Sequence, residues 1–244
     1  GGADLRFQSS TGVELKHEIQ SWDPTGESLV WVQIPTLGAN EKIIMRWGDP
    51  NAVLPGYVSD GSAWTGYFGA YHMDQAPNQN QLDSGPYGND LGSVIGSTLP
   101  ATGFLMSAHE FPKSSWNAFE ATSLSGSPTL ENFTISFWLN NIQENAENWK
   151  NWVALAHTSG NVRLESNNNN PPKAILYSSG LSGWTNLTTS SNVGTGIWRH
   201  VVISAESGGQ AKVYLDGASV ASGNYAQSNA ISSIVVGKGT DRQG

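Results

Sequence analysis

Two stretches carry side chains that could do chemistry. The loop "DSGPYGND" at 83–90 sets the oxygens of Asp83, Asn89 and Asp90 around a glycine-containing turn. Carboxylate and amide oxygens on a bending backbone are the ligands that a hard cation such as calcium takes. The same residue types are ordinary turn formers, so the loop reads either as a calcium site centred on Asp83 or as a turn. The second stretch is "NFTISFWLNN" at 132–141. Strand alternation puts Phe133, Ile135, Phe137 and Leu139 on one face and Thr134, Ser136, Trp138 and Asn140 on the other. A large ring among hydroxyls and amides on a sheet face suits the stacking and hydrogen bonding of a sugar. Trp149, Trp152 and Trp184, read as loop residues, would extend that platform. The opposing expectation is that loops fold over Trp138 and bury it, since several of the ten Trp must be structural.

No catalytic constellation accompanies these stretches. "HEIQS" and "AHEFP" each hold His-Glu but lack the second His that a helical zinc site requires. Gly-x-Ser-x-Gly does not occur, and "GKGTDRQG" has the wrong glycine spacing for a dinucleotide loop. No strand carries two acidic residues at alternate positions, the arrangement that lets two carboxylates reach one glycosidic bond. Glu144 and Glu147 read as solvated surface, and the five His share no motif. The chain is therefore expected not to be an enzyme.

Composition narrows the partners. Charged residues make up only 13% of the 244, against about a quarter in typical soluble domains. Gly, Ser, Asn and Thr fill the difference, as turn-rich β structure requires. The formal net charge is −8 with 12 basic residues and no basic cluster, which disfavours nucleic acid and anionic membrane surfaces. No apolar run is long enough for a membrane helix. With no Cys there is neither a disulfide framework nor a thiolate metal site.

The elements that would position the two stretches are short strands separated by turn signals. "DLRF", "HEIQSW", "LVWVQIP" and "KIIMRWG" read as four strands of a small β domain at 1–50, and 51–64 as a linker rich in Pro, Gly and Asn. From 65 to 244 come "GYFGAYHM", "SAHEF", "NAFEA", "NFTISFWLNN", "NWVALAH", "VRLES", "KAILYS", "GIWRHVVIS", "AKVYLDG" and "SIVVGK", at the spacing of a β-sandwich. Only "QENAENWKNW" is weakly helical. Asp216-Gly217 predicts a type I′ hairpin, with Leu215 opposite Ala218 and Val213 opposite Val220. Trp198 is expected to plug the core, and Val202 to share it with Phe137, Val213 and Leu215.

The second half resembles the laminin-G-like, concanavalin-A-like jelly-roll domains through "NFTISFWLN", "GIWRHVVIS", "KVYLDGASVASG" and "IVVGK", with "YHMDQ" and "DSGPYGND" resembling that family's opening strand and loop. The first 50 residues resemble a bacterial domain of unknown function that precedes such domains, through "ADLRF", "HEIQSWDP", "LVWVQIP" and "RWGDPNA". The resemblance implies an all-β jelly-roll sandwich behind a small N-terminal β domain, and a calcium-capable loop at 83–90. Against the family pattern, opening strands before "ADLRF" and a last strand after "IVVGK" are expected to be missing, either because the ends are cut or because further domains or chains supply them. The function expected is a non-catalytic module of a secreted or cell-surface bacterial protein, acting in adhesion or in binding a glycan or other surface ligand. Two alternatives stand beside it: an assembly subunit joined through sheet edges, and an accessory region of a polysaccharide-degrading enzyme.

Overall fold

The computed structural model describes residues 1–112, 116–142, 150–167, 172–178 and 185–237. The chain divides into two compact units: Gly1–His72 with Asp83–Asn89, and Met73–Leu82 with Asp90–Gly244.

The first unit holds β1 (Arg6–Ser9), β2 (Glu14–Leu15), β3 (His17–Ser21), β4 (Leu29–Val32) and β5 (Ile43–Arg46). β2, β1 and β5 form one antiparallel sheet, and β3 pairs with β4 in another. Leu5, Phe7 and Leu15 make its buried core, with Ile19, Val30 and Val32 packed against it. All four predicted strands are present. Where the sequence suggests a linker at 51–64, two 3-10 turns form at Gly56–Val58 and Ser62–Trp64, burying Val58 and Ala63. The unit continues to His72 and includes Asp83–Asn89. The strand expected in "GYFGAYHM" does not form: 67–73 is irregular, and positive φ at Gly66 and Met73 breaks extended geometry at both of its ends.

The second unit contains β6 (Ser93–Ile95), β7 (Leu99–Thr102), β8 (Ser107–Glu110), β9 (Ala118–Ala121), β10 (Asn132–Asn140), β11 (Asn151–His157) and β12 (Gly160–Ser166). It continues with β13 (Lys173–Ser178), β14 (Thr185–Asn192), β15 (Trp198–Glu206), β16 (Gln210–Leu215), β17 (Ala218–Asn224) and β18 (Ser233–Gly237). A seven-stranded sheet runs β14-β13-β12-β11-β18-β9-β6, a four-stranded sheet runs β10-β15-β16-β17, and β7 and β8 form a separate hairpin. The only helical segments among the described residues are the two 3-10 turns, and no helix there is long and apolar enough to cross a membrane. Most of the weakly helical stretch lies at 143–149, outside the described residues; its last two, Asn151 and Trp152, open β11.

The inner faces of the two sheets supply the core. Phe119, Leu164, Leu176 and Val162 from one, and Val201, Ile203, Val213 and Ala211 from the other, are essentially fully buried. Leu187 of β14 reaches into the space above Gly223 of β17, so that a Cβ there would require the leucine side chain to move. At roughly 25 cal/mol per Å², burying side chains of this size contributes about 1.5–3 kcal/mol each.

The Asp-Gly hairpin forms as expected, with φ of 49° at Asp216 and 80° at Gly217 and with Leu215 opposite Ala218. Its register then departs from the simple expectation. A bulge between Val213 and Tyr214 pairs Val213 with Ala221 instead of Val220, because one extra residue on β17 is accommodated there. Two further expectations are corrected by strand register. Phe137 stands opposite Val201, and Val202 stands opposite Ser136, so Val201 and not Val202 enters the core. Trp198 pairs with Asn140, on the same side as Trp138 and His200, so it lies on the outer face and does not plug the core.

Candidate functional site

β10 alternates between half-buried inner residues and exposed outer ones. Trp138 falls on the outer row, beside His200 of β15, and is 38% exposed. What determines its surroundings is the β7–β8 hairpin. Gly103–Met106 connects its strands, closed by Gly103 N–H donating to the Met106 carbonyl (2.8 Å) and by positive φ at Met106. This turn puts Phe104 at the tip, where its ring stacks on Trp138 with centroids 3.6 Å apart and planes inclined by 15°. Phe104 is 51% exposed. The pair makes a continuous, solvent-facing aromatic surface. The His200 ring lies 5.1 Å from Trp138, tilted by 40°, and its Nε2 is 2.8 Å from the Ser136 hydroxyl. The next outer residue, Asn140, has its amide oxygen buried with no hydrogen-bond donor among the described residues.

The edge of this surface is held by electrostatics. Asp216, at the hairpin turn, accepts from the Arg199 guanidinium and from the His200 backbone N–H (2.9 Å). The Arg199 hydrogen bond, followed by that backbone donor, keeps the Asp216 carboxyl below its ordinary value. The Arg199 side chain and the His200 backbone thus brace the turn.

Of the remaining predicted platform residues, one is described and is not gathered here. Trp152 stands in the other sheet, at a bulge where β11 shifts register between Asn151 and Val153. Trp149 and Trp184 lie outside the described residues. Phe104, which the sequence reading did not single out, is the true neighbour of Trp138. Its only signal was "GFLM", three apolar residues in a turn where polar ones are expected.

At the predicted calcium loop, Asp83 uses both carboxylate oxygens on backbone donors. Oδ1 accepts from Ala70 N–H (2.8 Å) and Gly85 N–H (2.7 Å), and Oδ2 from Asn89 N–H (2.9 Å). Asn89 donates its side-chain N–H to the Phe68 carbonyl at 3.1 Å. Asp90 belongs to the second unit. Among the described residues, no group of three or more His, Asp or Glu is placed to hold a metal ion.

The first unit also contains a polar cluster that no local sequence pattern announces. Glu18 on β3 accepts from the Trp64 indole N–H, from the Ser84 hydroxyl (2.8 Å) and at His72 Nε2 (3.0 Å). Trp31 stacks on His72 with centroids 5.4 Å apart. Burial raises the Glu18 carboxyl, but the hydrogen bonds from His72, Trp64 and Ser84 together outweigh it and hold the group below its ordinary value. Ser84 and His72 both bind the carboxylate and not each other, so no base is poised to activate the serine hydroxyl. The cluster is a joint between β3, the second 3-10 turn and 83–89.

On the outer face of the seven-stranded sheet, Arg163 Nε donates to Glu165 (2.8 Å), Nη1 to Asn161 (3.0 Å), and the guanidinium lies 4.1 Å from the centre of the Tyr177 ring. Both charged groups are about as buried as the core.

Comparisons with known proteins follow this geometry. Residues 1–84 match a domain of unknown function, DUF2341. No curated protein sequence matches the chain. Among solved structures, the binding domain of Paraclostridial Mosquitocidal Protein 1 aligns with a TM-score of 0.52 at 15% identity, covering 72% of this chain and 44% of that one. Botulinum neurotoxin type C, described as depending for cell entry on interaction with two ganglioside molecules, aligns with a TM-score of 0.51 at 14% identity, covering 70% and 44%. The binding domain of botulinum neurotoxin DC in complex with SialylT gives 0.51 at 14% identity, covering 68% and 44%. The chain thus spans less than half the length of these structures, and at such identities the likeness concerns the fold. Residues 113–243, more than half of the chain and including the four-stranded sheet that carries Trp138, match the concanavalin A-like lectin/glucanases superfamily, to which this chain belongs.

Proposed function

We propose that the chain is a non-catalytic glycan-binding module of a secreted or cell-surface bacterial protein, with a role in adhesion, and that Trp138 and Phe104 form its sugar contact. The observation that carries this reading is the exposed Phe104–Trp138 stack in a row otherwise occupied by Ser, Thr, Asn and His. A pyranose offers an apolar face of C–H groups and a rim of hydroxyls. The aromatic surface matches the first, and Ser136 and His200 the second. Membership of a superfamily named for lectins and glucanases agrees with a sugar ligand, as does likeness in fold to a neurotoxin described with two ganglioside molecules and to a binding domain described with SialylT. For the non-catalytic part, the support is that Glu165 and Asp216 are each already engaged by an arginine.

The test is glycan-array screening followed by titration calorimetry on wild type, Trp138→Ala and Phe104→Ala, with thermal melts as a fold control. Each variant should bind the selected glycan at least about tenfold more weakly, a loss of roughly 1.4 kcal/mol, while remaining folded. The glycan should be recovered chemically unchanged. Undiminished binding by both variants, or absence of any glycan ligand, would overturn the assignment.

A further inference from the structure

Strand register fixes what else the Trp138 side of the four-stranded sheet displays. Beyond Trp138 and His200 come Ser136, Val202 and Tyr214, and beyond those Thr134, Ser204, Lys212 and Ser222. Apart from Val202, these rows carry hydroxyls and one cation. Lys212 is half-buried and has no salt bridge among the described residues. The acidic residue of this face nearest in register, Glu206, lies along the β15–β16 turn, with its Cγ and Cδ 3.5 Å from where a Cβ on Gly209 would sit. Lys212 therefore presents its ammonium on a hydroxyl-lined surface with no carboxylate among the described residues at ion-pair distance, Glu206 standing diagonally across from it.

Its distance from the aromatic pair sets a length. Trp138 and Lys212 are two strands and four residues apart in register, about 10 Å across and about 13 Å along, or roughly 16 Å on the diagonal; about three to four extended pyranose units would span it. Tyr214 lies between them, two residues from Lys212 on β16.

We infer that the ligand is an acidic glycan at least about four sugars long, stacked at one end on Trp138 and Phe104 and placing a carboxylate against Lys212. This rests on the sugar-platform reading above and adds to it the chemical class and the minimum length. A neutral glycan would leave the ammonium of Lys212 partly desolvated with nothing gained, whereas a carboxylate there forms a charge-assisted hydrogen bond. A single such contact also gives weak salt dependence, since exposed charges are screened within about 8–10 Å at physiological ionic strength.

The experiment uses the full chain against carboxylate-bearing oligosaccharides, polyuronate and sialylated, each in disaccharide and hexasaccharide length and each beside its carboxyl-reduced counterpart. Wild type, Lys212→Met, which keeps an apolar stem, and Trp138→Ala are compared by calorimetry at low and high salt, with melting curves confirming the fold. The expected result is that an acidic hexasaccharide binds best. Lys212→Met should lower its affinity about tenfold to the level of the reduced form and remove the salt dependence, and disaccharides should not distinguish the variant from wild type. If reduced and acidic forms bind wild type equally, or Lys212→Met binds normally while Trp138→Ala does not, the acidic class is wrong and the platform stands. If no member of either series binds, the acidic class is wrong, while the platform reading falls only if the glycan array also yields no ligand.

Discussion

The two units put the same kinds of side chain to opposite uses. Around Glu18, two Trp rings, a His and a Ser converge, and the carboxylate receives a hydrogen bond from each of Trp64, His72 and Ser84. Around Trp138, a His and a Ser are again adjacent, but the Trp138 and Phe104 rings are exposed and, among the described residues, no carboxylate accepts from these side chains. A polar cluster whose donors all end on one acceptor has no remaining valence for a ligand; its energy is already committed to joining chain segments. A ring that is stacked on one side and hydrated elsewhere still has transfer free energy to gain. Residue type alone does not separate exposed platform from joint. The direction of the polar atoms does.

The most forceful way to break this comparison is Glu18→Ala. If the cluster is a joint, the variant strands an indole N–H, an imidazole and a hydroxyl, and the first unit should lose about 3–5 kcal/mol of stability, read from denaturant unfolding. A loss below about 1 kcal/mol would mean that water replaces the acceptor, so that the cluster is as open as the platform.

Asp83→Ala comes next. Removing the acceptor of three backbone N–H groups should cost about 2–3 kcal/mol, and running the same melts in calcium and in chelator tests the cation expectation together with it. Calcium binding to the folded loop requires a calcium-dependent rise in the wild-type midpoint that the variant lacks. An identical loss in both buffers assigns Asp83 to stapling the backbone.

The smallest effect, and the one that sharpens the contrast between satisfied and unsatisfied His, belongs to His17. It is fully buried between Phe7 and Tyr57, at 5.0 and 5.3 Å, with neither ring nitrogen hydrogen-bonded. Burial, with the charge of Arg6 adding to it, holds its pKa below the ordinary 6.5. The unfolded chain therefore takes up a proton near 6.5 that the folded unit still refuses, so this group's contribution to stability is lost as the pH falls below that value. His17→Phe should abolish that part of the pH dependence, seen as a wild-type-minus-variant midpoint difference that is flat above pH 6.5 and falls beneath it. A difference that stays flat on both sides would show the imidazole to be hydrated.

Much of the strand inventory was legible because apolar alternation and turn residues act over a few neighbours. "NFTISFWLN" declares a strand with two unlike faces, and Asp216-Gly217 declares the turn that joins β16 to β17. Among the strands that were missed are the short Glu14–Leu15 and Ser93–Ile95, and Leu99–Thr102 and Thr185–Asn192, which are "LPAT" and "TNLTTSSN"; neither of these last two has an apolar stripe, and each is a strand because a neighbour pairs with it. The bulge at Val213 was equally hidden, since the turn sets only the first pairs of a register.

The site divides along the same line. That Trp138 shares a strand face with Ser136 and Asn140 follows from the period of two, which covalent geometry imposes on any strand. That this face points outward, that Val201 and not Val202 packs within, that Trp198 lies beside Asn140 and that Phe104 arrives from a hairpin some thirty residues earlier were decided by the tertiary structure. Burial is a property of what a face meets, and stacking at 3.6 Å depends on where a distant turn lands. Local sequence specifies how side chains alternate; only long-range packing, by choosing which surfaces lose their water, decides which of them stays free to bind.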